Sequence, residues 1–311
     1  MHRRLTPVPR LPGGTPSLPH PSPSDFCHHR KVFLVRRKEK AAGEKQMNKS
    51  VFPIFCACIL ILTAFLAGCT NGQPSSPSTM TTPPTATPGP VPGSMISITA
   101  DSRTYPAYIA APLTPGKHPG IVLMHSFNGL EPGYKDMCNR MAGDGFVVIA
   151  PEWQTINQRA GDPEVEAIIR SSVATLQART DTDSTKIGLT GFCAGGRFTM
   201  LFLPQVREFG AGVAWYGFPD SIGYTNNTAP ASHISELDAP LLMIHGSRDQ
   251  PSPIGSIYNY SMKIDSADKY FELRVYQGKP HGFMIANGSL VREDFADDAY
   301  DGMISFFRRT L

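Results

Sequence analysis

From residue 96 onward, short apolar runs alternate with longer segments that have helical features. Continuous apolar runs of about six residues are typical of strands buried on both faces of a parallel sheet. The predicted buried strands are Gly120–His125, Phe146–Ala150, a strand entering the segment at Lys186, Gly212–Tyr216, Pro240–His245 and Phe271–Tyr276. Ahead of them, Met95–Ala100 and Tyr105–Ala110 alternate apolar and polar residues, which predicts an opening antiparallel hairpin.

Helical segments separate several of these strands. The predicted helices are Tyr134–Gly143, Asp162–Ala178, the apolar stretch after Cys193, and Glu293–Phe307. In the second of them, Asp162 is expected as the N-cap residue, with Pro163 at the first helical position. Strands that alternate with helices predict an α/β fold, a mostly parallel central sheet with helices on both faces. Ligands of such sheets bind beyond the carboxyl ends of the strands.

One turn between a strand and a helix carries candidate chemistry. The segment Gly191–Gly195 reads Gly-Phe-Cys-Ala-Gly and resembles the nucleophile elbow of the α/β-hydrolases, with Cys193 in place of the usual Ser. The nucleophile of an elbow has a strained backbone, so small neighbours are needed where strand and helix approach. The helix N-terminus then favours a thiolate. The alternative is a glycine-rich turn with a buried, inert cysteine.

An acid and a histidine follow Cys193 in the order of an α/β-hydrolase triad. Asp249 comes just after the predicted strand Pro240–His245, and His281 comes just after the next strand. Both therefore belong to loops at carboxyl ends. The alternatives are a turn or helix-capping carboxylate and an ordinary loop histidine. A serine esterase that uses Ser126 or Ser247 is a further alternative, although neither serine stands in an elbow.

With these residues, the chain resembles the dienelactone hydrolase family over essentially all of 96–311. The resemblance implies an α/β-hydrolase fold and a carboxylic-ester hydrolase that acts on a small-molecule ester or lactone without a cofactor. It implies that Cys193 is the nucleophile, His281 the general base and Asp249 the acid that orients the imidazole. Backbone N–H groups of Ala194 and Phe127 are expected to form the oxyanion hole.

Two positions depart from the family pattern. Family members with dienelactone activity carry a Glu that holds the resting thiol where this chain has Ser126, and an Arg shortly after the triad histidine where this chain reads Phe283-Met-Ile-Ala. The dienelactone substrate is therefore not implied. The residues expected near the substrate are Ser126, Trp153, Trp215 and Tyr216, with ordinary core aromatics as the alternative. Arg197 is expected to serve packing rather than substrate binding.

The first 95 residues predict an exported lipoprotein. The segment 47–68 has the features of a signal peptide: it starts at Met47 with a Lys close behind and continues as an apolar run. It ends in Leu66-Ala-Gly-Cys69, which has the form of a bacterial lipobox, so lipid is expected on Cys69. An uncleaved anchor and a buried helix are the alternatives. Residues 1–46 are interpreted as a disordered upstream extension outside the native protein, and 69–95 as a Ser/Thr/Pro-rich linker. The expected location is the outer face of the cell membrane.

Charge and cysteine usage narrow the choice of partners. From Cys69 onward the chain holds 18 Lys and Arg against 23 Asp and Glu, so no nucleic-acid partner is indicated. No Cys-x-x-Cys pair or His/Cys cluster suggests a metal, and Cys138 is interpreted as a packing residue. The favoured function is hydrolysis of activated esters or lactones through a Cys193 thioester. The alternative is a catalytically silent ligand-binding lipoprotein; the oligomeric state and the natural substrate stay open.

Overall fold

The computed structural model describes residues 91–224 and 228–311. The predictions for 1–46, 47–68, Cys69 and the linker up to residue 90 lie outside these ranges. The strands are β1 Ser94–Ala100, β2 Arg103–Ala110, β3 His118–Met124, β4 Val147–Pro151, β5 Thr182–Phe192, β6 Phe209–Trp215, β7 Leu241–Gly246, β8 Phe271–Tyr276, β9 Ile285–Ala286 and β10 Ser289–Leu290. The helices are α1 Pro132–Gly143, α2 Asp162–Gln177, α3 Ala194–Phe202, α4 Ile254–Ser266 and α5 Asp294–Thr310, together with a 3₁₀ helix over Pro230–Glu236.

The first eight strands form one sheet in the order β1-β2-β4-β3-β5-β6-β7-β8. β1 and β2 form an antiparallel hairpin, and β2 also pairs antiparallel with β4. Every pairing from β4 across to β8 is parallel. The predicted hairpin and the mostly parallel sheet are both confirmed. The carboxyl ends of β5, β7 and β8 therefore share one edge of the sheet.

Apolar side chains cover both faces of the sheet. In β3, Val122 and Met124 pack into the layer that holds α2, α3 and α4, whereas Ile121 and Leu123 pack into the layer that holds α1 and α5. Successive side chains of a strand point to opposite faces, so a strand buried on both needs an uninterrupted apolar run. Such runs are what made these strands recognisable in the sequence.

The structure differs from the sequence-based expectation at several element ends. Helix α2 has Gly161 at its N-cap, so the expectation that Asp162 caps this helix is wrong: Asp162 is the first helical residue and its carboxylate is engaged elsewhere. Helix α4, the 3₁₀ helix and the β9–β10 hairpin were not predicted. The folded part also begins ahead of residue 96, because Val91 is buried and β1 starts at Ser94. Within the described ranges, none of the helices has the length and apolar character needed to cross a bilayer.

Candidate functional site

Cys193 lies at a sharp turn between β5 and α3. Its backbone has φ +57° and ψ −112°, a left-handed conformation that is strained for a residue with a side chain. A Cβ atom on Gly191 would overlap the carbonyl oxygen of Gly195, and one on Gly195 would overlap that of Met124. Glycine is therefore required at both positions for the helix to start directly over the sheet edge. The turn leaves Cys193 half-buried, beside a cavity and at the N-terminus of α3.

The loops after β7 and β8 bring Asp249 and His281 together. The backbone N–H of Arg248 donates to the carbonyl oxygen of Lys279 at 3.0 Å, which ties one loop to the other. His281 Nδ1 then lies 2.8 Å from Asp249 Oδ2. Oδ1 of the same carboxylate accepts from the N–H of Ser252 at 2.8 Å. Both carboxylate oxygens are thus engaged, and Asp249 is held in one orientation.

His281 is positioned with one ring nitrogen on the acid and the other unpartnered. Its ring packs edge-on against Tyr216, with centroids 5.1 Å apart, and 5.4 Å from the ring of Phe218. Nε2 is buried and makes no hydrogen bond to any described group. Burial lowers the pKa of His281, but the hydrogen bond that its Nδ1–H donates to Asp249 and the nearby sulfur of Cys193 raise it more, to about 9. A pKa of about 9 favours the charged imidazole at neutral pH, next to the sulfur of Cys193.

His245 supports the acid, a role that the sequence did not suggest. It is buried at the end of β7, and its Nε2–H donates to the carbonyl oxygen of Ser252 at 2.8 Å. The same nitrogen lies 3.3 Å from Asp249 Oδ2. Burial lowers the pKa of His245, which favours the neutral ring. A neutral Nε2–H braces the turn 249–252 without adding a charge. The sequence signal was the His-Gly-Ser-Arg-Asp segment itself, which indicates a role for Asp249 and an alternative one for Ser247 but none for His245.

A cavity of about 270 Å³ opens beside Cys193. Its wall is mainly aromatic and apolar, with Phe127, Phe198, Phe218 and Tyr224 contributing rings. Of these four residues, only Phe127 was a predicted site residue, and the prediction concerned its backbone N–H rather than its ring. Phe218 and Tyr224 follow β6 in an irregular segment, so no periodic pattern pointed to them.

An ion pair closes one side of the same cavity. Arg197, four residues after Cys193, donates from Nη1 and Nη2 to the two oxygens of Asp162, at 2.6 and 2.7 Å. Its Nε donates to the carbonyl oxygen of Ser221 at 2.9 Å. Both charged side chains are at most 5% exposed. Arg197 therefore joins α3 to the start of α2 and to the segment after β6, which agrees with its expected packing role, although it also lines the cavity.

The four side chains expected near the substrate are not among those that line the cavity. Trp153 is fully buried one layer behind it, with its ring 5.1 Å from that of Phe198. Trp215 is fully buried against Phe192. Tyr216 lies beneath the ring of His281. These aromatics are core residues because the strand ends that carry them are covered by loops and helices.

The side-chain hydroxyl groups of Ser126 and Ser247 accept hydrogen bonds from backbone N–H groups in loops. The Oγ atom of Ser126, a buried residue, accepts from the N–H of Asn128 at 3.2 Å, and Oγ of Ser247 accepts from the N–H of Gly278 at 2.7 Å. Neither residue stands at a strained elbow.

The two residues expected in the oxyanion hole, Phe127 and Ala194, both line the cavity next to Cys193. Ala194 is the first residue of α3, where backbone N–H groups have no partner within the helix. The carbonyl groups of Met124 and His125, which lead into the Phe127 loop, lie against Gly195. The loop after β3 and the start of α3 are therefore in contact. Among the described residues, no group of His, Cys, Asp and Glu is arranged to hold a metal ion.

Comparison with known proteins identifies relatives of this chain. A "Putative carboxymethylenebutenolidase" of Methylorubrum extorquens is 27% identical over 234 residues, covering 69% of this chain and 80% of the relative. One of the same name from Salmonella typhimurium is 28% identical over 258 residues, covering 76% and 92%. The crystal structure of a "Putative Dienelactone Hydrolase" from Klebsiella pneumoniae superposes with a TM-score of 0.63 at 26% identity, covering 70% of this chain and 98% of that one.

The family model described as "Dienelactone hydrolase family" matches residues 105–311. That match takes in the elbow and the loops of Asp249 and His281, and the fold of the structural relative confirms the predicted α/β-hydrolase architecture. The chain belongs to the dienelactone hydrolase family.

Proposed function

We propose that Cys193, His281 and Asp249 hydrolyse activated esters or lactones through a thioester acyl-enzyme. Membership of the dienelactone hydrolase family makes the protein a carboxylic-ester hydrolase; the proposal concerns its mechanism and its substrate class. The observation that supports it most is the arrangement of His281, which has Asp249 on Nδ1 and a buried, unpartnered Nε2 beside the half-buried Cys193.

The first half of the reaction forms the thioester. The thiolate of Cys193, stabilised by the imidazolium of His281, attacks the ester carbonyl carbon. The oxyanion receives hydrogen bonds from the N–H groups of Ala194 and Phe127, and losing one such donor typically costs about 10²–10³ in rate. Collapse of the intermediate expels the alcohol or phenol, which takes the Nε2 proton of His281.

The second half of the reaction needs a neutral His281 that can act as a base. Loss of the negative charge on Cys193 favours that neutral form. Interaction with the sulfur of Cys193 is part of what raises the pKa of His281 to about 9. A thioester carries no negative charge, so acylation removes that contribution and lowers the pKa of His281, which has already given its Nε2 proton to the leaving group. Neutral Nε2 takes a proton from water, the resulting hydroxide attacks the thioester, and the carboxylic acid leaves as the thiolate returns.

A cysteine nucleophile restricts the esters that this site turns over. The tetrahedral intermediate expels the better leaving group, and a thiol, with a pKa of about 8.5, leaves far more readily than an alkoxide. Alkyl esters therefore fall back to the starting ester. Esters of phenols and enols, and enol lactones, have leaving groups that compete with the thiolate and go forward.

The deciding experiment compares a p-nitrophenyl and an ethyl ester of the same acid. We expect kcat/KM for the p-nitrophenyl ester to exceed that for the ethyl ester by more than the ratio of their hydroxide-catalysed rates. Equal turnover of the two esters would contradict a thioester pathway.

A catalytically silent binding protein on the same fold is distinguished by the reactivity of the thiol. If Cys193 is an activated nucleophile, iodoacetamide alkylates it rapidly, and His281→Ala removes that advantage. A rate like that of an ordinary thiol, unchanged in the variant, would favour the binding protein. Cys138 is fully buried and serves as the internal reference.

For the cellular location, we propose that Cys69 is lipidated and holds the hydrolase at the outer face of the cell membrane. The support is the signal-like segment 47–68 and its Leu-Ala-Gly-Cys end.

A further inference from the structure

The cavity next to Cys193 has no net charge of its own. Besides the thiol, the charged side chains among its described lining residues are Asp162 and Arg197. They face each other in a two-pronged pair with oxygen–nitrogen distances of 2.6 and 2.7 Å. All three guanidinium nitrogens are engaged, since Nε donates to the carbonyl oxygen of Ser221. The guanidinium of this cavity is therefore already neutralised by a carboxylate.

The remaining wall favours an apolar, ring-sized group. The rings of Phe127 and Tyr224 have centroids 6.0 Å apart across the cavity wall, and Phe198 and Phe218 add two more. A dry cavity of about 150 Å³ holds a benzene molecule in another protein. The 270 Å³ available here therefore accommodates a single-ring acyl group.

A carboxylate on the acyl group would find no free cation among the described residues that line this cavity. An ionised carboxylate that loses water without gaining a partner carries a large free-energy penalty. The Asp162–Arg197 pair offers no net attraction to an anion, and the imidazolium of His281 is already paired with Asp249 and the thiolate of Cys193. Arg159 lies 5.6 Å from the ring of Tyr224 but is exposed and is not among the lining residues.

We propose that this cavity is an acyl pocket for neutral, single-ring acyl groups and that the Asp162–Arg197 pair excludes acyl groups bearing a carboxylate. Asp162 is then a specificity-determining residue, because it cancels the charge that would otherwise attract an anionic substrate. The inference rests on the proposed function for the identity of the reacting group, and it specifies the substrate class.

The test uses two esters of the same shape, p-nitrophenyl 4-methylbenzoate and p-nitrophenyl 4-carboxybenzoate. Each kcat/KM is divided by the hydroxide-catalysed rate constant of that ester. For the full-length protein we expect the anionic ester to be at least about 100-fold poorer by this measure. Comparable values for the two esters would overturn the inference while leaving the hydrolase mechanism intact.

Asp162→Asn isolates the charge of the pair. Asparagine keeps a side-chain oxygen for Arg197 and leaves the guanidinium with a net positive charge. The gap between the esters, meaning the ratio of their normalised kcat/KM values, should therefore narrow by roughly tenfold or more. The double variant Asp162→Asn, Arg197→Gln has a neutral pocket again and should restore the gap. Asp268→Asn makes the same change of net charge at an exposed position and should leave the gap as it is. A gap that does not move in a folded Asp162→Asn protein would contradict the proposal.

A second readout does not require turnover. 4-Methylacetophenone and 4-acetylbenzoate are each tested for protection of Cys193 against iodoacetamide, measured on the tryptic peptide that ends at Arg197. Protection by the neutral ketone alone supports the pocket preference even if no ester is hydrolysed, in which case only the proposed function fails. Equal protection by both ligands, or protection by neither, overturns the inference.

Discussion

Asp249 accepts a hydrogen bond from Nδ1 of His281 at 2.8 Å, and the opposite ring nitrogen of that histidine is buried with no hydrogen-bond partner identified among the described residues. The acid therefore fixes which nitrogen carries the permanent N–H and leaves Nε2 to exchange protons. Because Asp249 is itself held by Ser252 and braced by His245, the ring plane of His281 is set by a chain of contacts that ends in the core. The predictions below test separate links of this arrangement.

Removing the thiol should remove hydrolysis. Cys193→Ala leaves no nucleophile, and we expect kcat for p-nitrophenyl acetate to fall at least about 10³-fold while the far-UV circular dichroism is unchanged. Cys138→Ala is the matched control: it removes a thiol from the core of α1, which costs stability by leaving a cavity but does not touch the site. Assayed below its unfolding temperature, it should keep its activity. Retained turnover in Cys193→Ala would exclude the thioester mechanism.

Asp249→Asn should impair catalysis with little structural change. The amide oxygen can still accept from the N–H of Ser252, but an amide no longer fixes the tautomer of His281 or stabilises its charge. We expect kcat to fall roughly 10⁴-fold, the size found when a triad acid is changed to Asn in a protease.

Asp238→Asn, at an exposed ion pair with Lys269, should have wild-type kinetics. A loss of less than about tenfold at Asp249 would indicate that this carboxylate is only structural.

The charged His281 should make stability depend on pH in a defined window. Its pKa is raised in the folded protein from 6.5 to about 9, so its contribution to the free energy of unfolding is complete below pH 6.5 and is lost as the pH rises through 9. The difference in unfolding free energy between wild type and His281→Asn should therefore shrink from pH 6 to pH 10 in urea titrations. A difference that is constant or that grows over this range would contradict the assigned ion pair.

The elbow glycines should tolerate no methyl group. Gly195→Ala places a Cβ against the carbonyl oxygens of Met124 and His125, which are backbone atoms that cannot swing aside. We expect a loss of at least about 3 kcal/mol in the free energy of unfolding. Gly255 in α4 has open space at the same position, and Gly255→Ala should be neutral or stabilising by up to about 1 kcal/mol. Similar effects of the two substitutions would show that the close approach at the elbow is not required.

The proposed lipid on Cys69 predicts partition into a detergent phase. In a host with lipoprotein processing, the wild-type protein should fractionate with membranes and enter the detergent phase of a Triton X-114 extraction. Cys69→Ala should retain residues 47–68 and carry no lipid, which intact-protein mass spectrometry checks. A wild-type protein that stays in the aqueous phase would argue against the anchor.

Local patterns allowed much of the fold and the chemistry to be predicted. The elbow is encoded within Gly191–Gly195, and the loops of Asp249 and His281 follow recognisable strands, so neighbours along the chain carried the information. Phe271–Tyr276 was predicted with the bounds that the structure shows. Helix α4 was missed although Ile257, Tyr260 and Ile264 recur at helical spacing. Ser261 interrupts the buried face, and Tyr258 and Met262 are apolar side chains on exposed positions, which obscures the pattern.

Contacts between distant segments could not be predicted in the same way. β5 begins at Thr182 because it pairs there with His118 of β3, although its exposed residues up to Lys186 show no strand pattern. The local sequence predicts Asp162 as a helix cap, but in the structure its carboxylate pairs with Arg197, which lies 35 residues away in the sequence. The cavity wall likewise combines segments after β3, β5 and β6, so its aromatic character emerged only when those segments came together.

The burial of Cys138 leaves Cys193 as the solvent-accessible thiol of the described chain. A peroxide that oxidises Cys193 to a sulfenic acid therefore meets no second accessible cysteine in this domain with which to form a protective disulfide. Further oxidation to the sulfinic acid is irreversible without a dedicated repair enzyme. The hydrolase should thus be inactivated permanently by oxidants and should keep its activity longest in the presence of a small external thiol.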